Sequence, residues 1–259
     1  MRLPTILRLA IAAAVALGLA DPATAALRIG VAWLPEAAPA PEARLYTDEG
    51  FERDIGREIG KRVGDDVTFV ALPPADLAGA VRAGVVDLAL ARLADGARPP
   101  EGVAALDLGY RSGLAASMRT DTTIRTWGDL AGRTVCVAAG NPHARAIAEA
   151  SGARVQEERA PARSLMQVRT GACDAAIHDA AVLDALFATE RWRKFSSTLP
   201  TRAASDLVAL APAASPIAAE LGAIVADLGA APAWDARRAR WARNVDFEVY
   251  LDQDAPDCH

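Results

Sequence analysis

Asp179 combines reactive chemistry with a position that could use it. It follows the apolar run Ala172 to His178, which opens after Gly171 and reads as a buried strand. The next residues, Ala180 to Ala188, have helical spacing and no breaker. An aspartate where a parallel strand meets its helix stands at the rim on which open α/β sheets hold small ligands. Its carboxylate could take a ligand ammonium. Aspartate is also a favoured helix N-cap, and position alone favours that role. Other chemistry is absent from the sequence. His143, His178 and His259 form no metal spacing with one another or with a cysteine pair. The acidic tail Asp252 to His259 lacks the glycine and distal glutamate of a calcium loop. No Gly-x-Ser-x-Gly, phosphate loop or dinucleotide fingerprint occurs. Neither a metal nor a cofactor is expected.

Residues 1–25 read as a secretory leader. Arg2 and Arg8 give its charged start, Leu9 to Ala20 its apolar stretch, and Ala23-Thr24-Ala25 its cleavage site. The apolar part is too short to span a bilayer, so a soluble exported protein is expected. The net charge is −5. Loss of Arg2, Arg8 and Asp21 makes it one unit more negative, which argues against nucleic acid as a partner. A chain of 259 residues, less that leader, suits one large domain or two lobes of about 100 residues each. Export also gives the three cysteines meaning, since disulfides persist outside the cytoplasm. At least one is unpaired within the chain. Cys136 and Cys173 fall in two apolar runs that could bridge if those strands are neighbours, while Cys258 lies in the polar tail. Three thiols, or another pairing, remain open.

The elements that must carry these residues alternate. Leu27 to Trp33 is a strand, followed by a Pro/Ala-rich loop to Asp48. From Gly50 to Val63, Phe51, Ile55, Ile59 and Val63 recur at fourfold spacing and predict a helix. Val67 to Ala71 reads as a strand, Pro73 to Arg82 as a helix, and Val85 to Leu90 as a strand. That order predicts a parallel sheet with right-handed crossovers. Gly113 to Met118 is a strand leaving this unit. The second unit repeats the order: strand Thr134 to Ala138, helix from Gly140-Asn141-Pro142 to Ala150, strand Arg154 to Glu157, and helix Ala162 to Arg169. The run around Asp179 follows. Leu207 to Ala211 returns to the first unit, and helices follow at Ser215 to Leu228 and Ala233 to Ala242.

This order of landmarks resembles the family-3 solute-binding proteins, the periplasmic amino-acid receptors of ABC transporters. Gly50-Phe51-Glu52-Arg53-Asp54-Ile55 is similar to the family's Gly-Phe-acidic-x-Asp-Leu helix start, and Gly84-Val85-Val86-Asp87 to its Gly-x-x-Asp. Asp129-Leu130-Ala131-Gly132-Arg133-Thr134-Val135 is similar to its Asp-Leu-Lys-Gly-Lys-x-Val, and Gly171 to Ala176 to its Gly-x-x-Asp-Ala. The resemblance runs from Leu27 to about Trp241. It implies the two-lobed α/β fold of type II periplasmic binding proteins: lobe 1 from residues 26–118 and 207–259, lobe 2 from 119–206, and two crossover strands at the hinge. It implies Asp179 as the partner of a ligand ammonium, and Arg98 or Arg92 as the guanidinium that clamps a carboxylate. The family's Gly-Thr-Thr helix start becomes Gly140-Asn141-Pro142-His143, where Asn141 can cap the helix and Pro142 removes one donor. Trp33 and Tyr46 are candidates for the aromatic wall against the ligand, with core packing or loop cover as their other role. Tyr110 falls where the family has a supporting tyrosine near the hinge. Some members carry cysteines at positions resembling 136 and 173, which implies the Cys136–Cys173 bridge.

The leading expectation is therefore a monomeric periplasmic receptor, not an enzyme, that binds a small zwitterion and delivers it to an inner-membrane ABC permease. Two alternatives share the architecture. One is a cyclohexadienyl dehydratase-like enzyme, with Glu36, Glu52 or Asp179 as the acid. The other is an accessory protein of a periplasmic quinoprotein dehydrogenase, faintly suggested by Gly109-Tyr110-Arg111-Ser112.

Overall fold

The computed structural model describes residues 26–32 and 45–252. The leader, Trp33, Glu36 and Cys258 lie outside the described residues.

The first unit alternates as its sequence pattern requires. It contains β1 (Leu27–Val31), α1 (Glu52–Val63), β2 (Val67–Ala71), α2 (Leu77–Arg82) and β3 (Leu88–Ala94). Ile55 and Ile59 of α1 are fully buried, and Phe51 nearly so. β3 starts and ends later in the chain than its apolar run suggests. Val85 is half exposed, and Asp87 is drawn away by Arg28, whose Nη2 donates to Asp87 Oδ1 at 2.8 Å. Arg92 thereby falls inside the strand.

The chain then crosses on β4 (Val103–Arg119), a strand of 17 residues. The expected Gly113 to Met118 is only its last part. The second unit holds β5 (Thr134–Ala138), α3 (Pro142–Ala150), β6 (Arg154–Glu158), α4 (Pro161–Thr170), β7 (Ala175–Asp179), α5 (Ala180–Phe187) and the short β8 (Phe195–Ser196). The return strand is β9 (Arg202–Pro212), followed by α6 (Pro216–Leu228) and α7 (Ala231–Leu251). α7 runs nine residues past the expected Ala242. The sheet order is β2-β1-β3-β9-β4-β7-β5-β6, with β8 also paired to β4. β2-β1-β3 and β7-β5-β6 are parallel triplets, while β9 and β4 are antiparallel to their neighbours and join the triplets.

Period-two alternation divides the core between the sheet's faces. Leu88, Leu90, Cys136 and Ala176 belong to one cluster that runs through both units and includes Leu165, Trp192 and Trp234. Their neighbours point the other way and form two separate clusters. One holds Ala89, Ala91, Leu77 and Val208, the other Val135, Val137, Ala175 and Ile177. α7 packs along α4 and α5, although residues 207–259 were expected with the first lobe. It also reaches the first unit, where Arg237 Nη2 donates to Glu58 at 2.7 Å.

Cys136 and Cys173 form a disulfide, with Cα atoms 5.9 Å apart. Cys173 lies in the turn before β7, not in a strand as expected, because Asp174 turns back to hold the start of β5. Asp174 Oδ2 accepts from Thr134 N at 2.9 Å, and Arg133 Nη1 donates to its other oxygen at 3.1 Å.

Candidate functional site

A cavity of about 220 Å³ opens where the ends of β1, β3 and β7 meet the middle of β4, the start of β9, the loop after β5, and the start of α1. Asp179, Arg92, Glu49, Glu52, Asn141 and His143 are in its wall.

Asp179 is the last residue of β7 and the N-cap of α5, as the cap reading of the sequence expects. Oδ1 accepts from Ala181 N at 3.0 Å, Tyr110 Oη at 2.9 Å and Ser112 Oγ at 2.6 Å. Oδ2 faces Arg92 Nη2 at 3.3 Å. The pairing of Leu114 with Asp179 brings β4 alongside. Two irregularities in the β4–β9 ladder then aim Tyr110 and Ser112 at the carboxylate. At the first, Gly109 has φ +66° and a Cβ there would meet Gly229 O at 2.5 Å, so only glycine fits. At the second, Ala203 takes φ 51° in the cavity wall, a conformation that costs a non-glycine residue about 1 kcal/mol.

Arg92 lies over the Tyr110 ring at 4.9 Å and its Nε points to Glu52 Oε1 at 3.4 Å. Burial opposes the charge on Arg92, but Glu52 and Asp179 together outweigh it and raise its pKa, so the guanidinium stays charged. Burial first, and then Asp179, push the Tyr110 phenol well above its ordinary pKa, so it remains a donor. Tyr110 is packed against Phe51 and Trp234, ring centroids 5.3 and 4.4 Å away. The expected supporting role of this tyrosine is thus joined to direct contact with the site.

Across the cavity, Glu49 is 7% exposed. It accepts from Asn141 Nδ2 at 2.8 Å, and its Oε2 lies 2.9 Å from His178 Nδ1. His178 Nε2 lies 3.1 Å from Ser164 Oγ. A neutral ring donating from Nδ1 to the carboxylate accepts from that hydroxyl. Asn141 is also committed: its Oδ1 caps α3 by accepting from Ala144 N at 2.9 Å. Asp48 is paired with Arg53 through contacts of 2.9 and 3.0 Å, yet burial still raises its pKa.

The structure thus gathers Asp179, Arg92, Asn141 and His143, with His143 exposed at the mouth. It does not bring in Arg98, which stands exposed in the loop after β3 and does not line the cavity. Tyr46 lies elsewhere, beside a second cavity. Its Oη donates to Asp252 at 2.7 Å and accepts from Arg159 at 3.1 Å. Glu49 and Ser112 were not anticipated from sequence. Among the described residues there is no cluster of three or more His, Cys, Asp or Glu that could hold a metal.

No family model matches this chain and no curated protein sequence does either. Solved structures do. The GluR0 ligand-binding core from Nostoc punctiforme in complex with L-glutamate is 20% identical, with a TM-score of 0.56 over 83% of this chain and 98% of that one. A second GluR0 ligand-binding core with L-glutamate gives 0.54 at 16% identity over 85% and 98%. Holo ArgBP from T. maritima gives 0.51 at 19% identity over 83% and 95%. The fold is that of a type II periplasmic binding protein.

Proposed function

We propose that this protein is a periplasmic solute-binding protein that takes a small amino-acid-like zwitterion in the cavity described above. The observation that carries this reading is the meeting of Asp179 and Arg92, an anion from one unit and a cation from the other, on the wall of one cavity at the strand ends. A zwitterion entering a site of low dielectric must have both charges paired, or desolvation outweighs the gain. Asp179 takes the ammonium and Arg92 the carboxylate, so the ligand inserts into the ion pair and replaces it. A cavity of about 220 Å³ is below the ~300–1,000 Å³ of drug-sized sites and suits a small metabolite. The units 26–118 with 207–230 and 119–206 act as two lobes hinged on β4 and β9, and the ligand stabilises the closed state by touching both. The likeness to glutamate- and arginine-bound proteins agrees with a binding role rather than an enzymatic one. Delivery to an ABC permease completes the reading.

Calorimetry with an amino-acid panel tests it. Asp179→Ala should cost about 2–5 kcal/mol in binding the best ligand, because a desolvated ammonium loses its partner. Equal affinity in the folded variant refutes the assignment.

One observation favours a second reading. Asp179 already has three neutral donors and a cation from its own chain, so the cavity could be self-satisfied and the protein an accessory to a quinoprotein dehydrogenase. No shift in melting temperature with any amino acid would support that role.

A further inference from the structure

We propose that the cavity selects a ligand with a second positive charge, a cationic amino acid, and that Glu52 sets this preference. The inference rests on the zwitterion reading and goes beyond it by naming the ligand's side-chain chemistry.

The wall is acidic in excess. Four carboxylates, Asp48, Glu49, Glu52 and Asp179, face two guanidinium groups, Arg53 and Arg92. Arg53 is engaged by Asp48 at 2.9 Å. Glu49 is met by an amide and an imidazole. Arg92 alone therefore serves two carboxylates, at 3.4 Å from Glu52 and 3.3 Å from Asp179. Charge-assisted pairs close to about 2.7–2.9 Å when each anion has its own cation. These two are long because one guanidinium is shared.

Ligand entry makes the imbalance acute. Once the ligand ammonium occupies Asp179 and its carboxylate occupies Arg92, the guanidinium is spent on the ligand. Glu52, with a side chain 21% exposed, then keeps its charge in a part-buried wall without a full partner. A neutral amino acid leaves that carboxylate uncompensated, an acidic one adds repulsion, and a cationic one supplies the missing charge. Val31, Leu77 and Leu90 in the same wall give an apolar surface for a methylene stem. The fold does not make this choice, since the similar structures hold glutamate in some cases and arginine in others.

Titration calorimetry of the full-length protein with L-lysine, L-arginine, L-glutamine and L-glutamate tests the proposal. Wild type should bind lysine or arginine at least about tenfold more tightly than glutamine, with glutamate weakest. Glu52→Gln should reduce the lysine-to-glutamine affinity ratio by about tenfold or more, with lysine weakened and glutamine strengthened because the uncompensated carboxylate is gone. Glu52→Asp, which keeps the charge, should preserve the ranking and controls for loss of folding. Glutamine or glutamate binding as well as lysine to wild type overturns the proposal, as does an unchanged ratio in Glu52→Gln. If a neutral amino acid binds best and is lost with Asp179→Ala, the zwitterion site stands and only the charge preference fails. If none of the four binds, the zwitterion site fails and the preference falls with it.

Discussion

Asp179 and Glu49 are both nearly buried carboxylates on the same cavity wall, and each is held from across the molecule. Asp179 ends a strand of the second unit and is gripped by Arg92 of β3 and by Tyr110 and Ser112 of the crossover β4. Glu49 precedes the first helix and is gripped by Asn141 and His178 of the second unit. The two stitches run in opposite directions, and they differ in what answers the charge. Asp179 has a permanent cation and three neutral donors, whereas Glu49 meets an amide and an imidazole. The first is a fixed anchor that needs a charged competitor to open it. The second has no permanently charged partner and is the weaker of the two.

Both stitches end on β7, at the adjacent residues His178 and Asp179, and the largest expected effect comes from loosening that strand. The Cys136–Cys173 bridge closes 37 residues just before it. Replacing both cysteines by alanine should lower unfolding free energy by about 3–4 kcal/mol, read from urea denaturation. Next is Asp179→Ala, which strips an acceptor from Arg92, Tyr110, Ser112 and Ala181 N and should cost about 3 kcal/mol in the same assay. Glu49→Ala should cost only about 1–2 kcal/mol, since it strips an acceptor from two donors, Asn141 and His178, rather than four. A Glu49→Ala loss equal to that of Asp179→Ala would break the comparison. Smallest is Tyr110→Phe, at about 1 kcal/mol. Because burial and Asp179 keep Tyr110 protonated, this variant should also leave tyrosinate absorbance unchanged through about pH 11, where an ordinary tyrosine has already ionised.

The sequence made Asp179 legible because its signal is local: a strand, an acid and a helix in one continuous stretch. The same holds for α1, whose fourfold apolar spacing marks the buried face, and for the alternation that fixes the sheet. Arg92 and Arg98 could not be separated, because the choice depends on where β3 begins. That start is set by Asp87 turning to Arg28, 59 residues away. Glu49 carried no local mark. Its partners lie 92 and 129 residues further along the chain, and only the closed fold brings them together. Tyr46 shows the same limit from the other side. An aromatic in a loop near the ligand face resembles a wall residue, but the added turns of α7 carry Asp252 to its hydroxyl and settle it elsewhere.

The continuous sheet also bears on how the molecule comes apart. β3, β9, β4 and β7 are hydrogen-bonded in succession, and one apolar cluster beneath them runs through both units. Neither unit has a boundary along which it could melt alone, so pulling or denaturant should give a single cooperative event rather than two steps. An excised second unit would expose the edge of β7 to solvent and lose the cover of α7, and a bare edge of that kind recruits other chains. What looks like a pair of lobes in the order of elements is, for unfolding, one body.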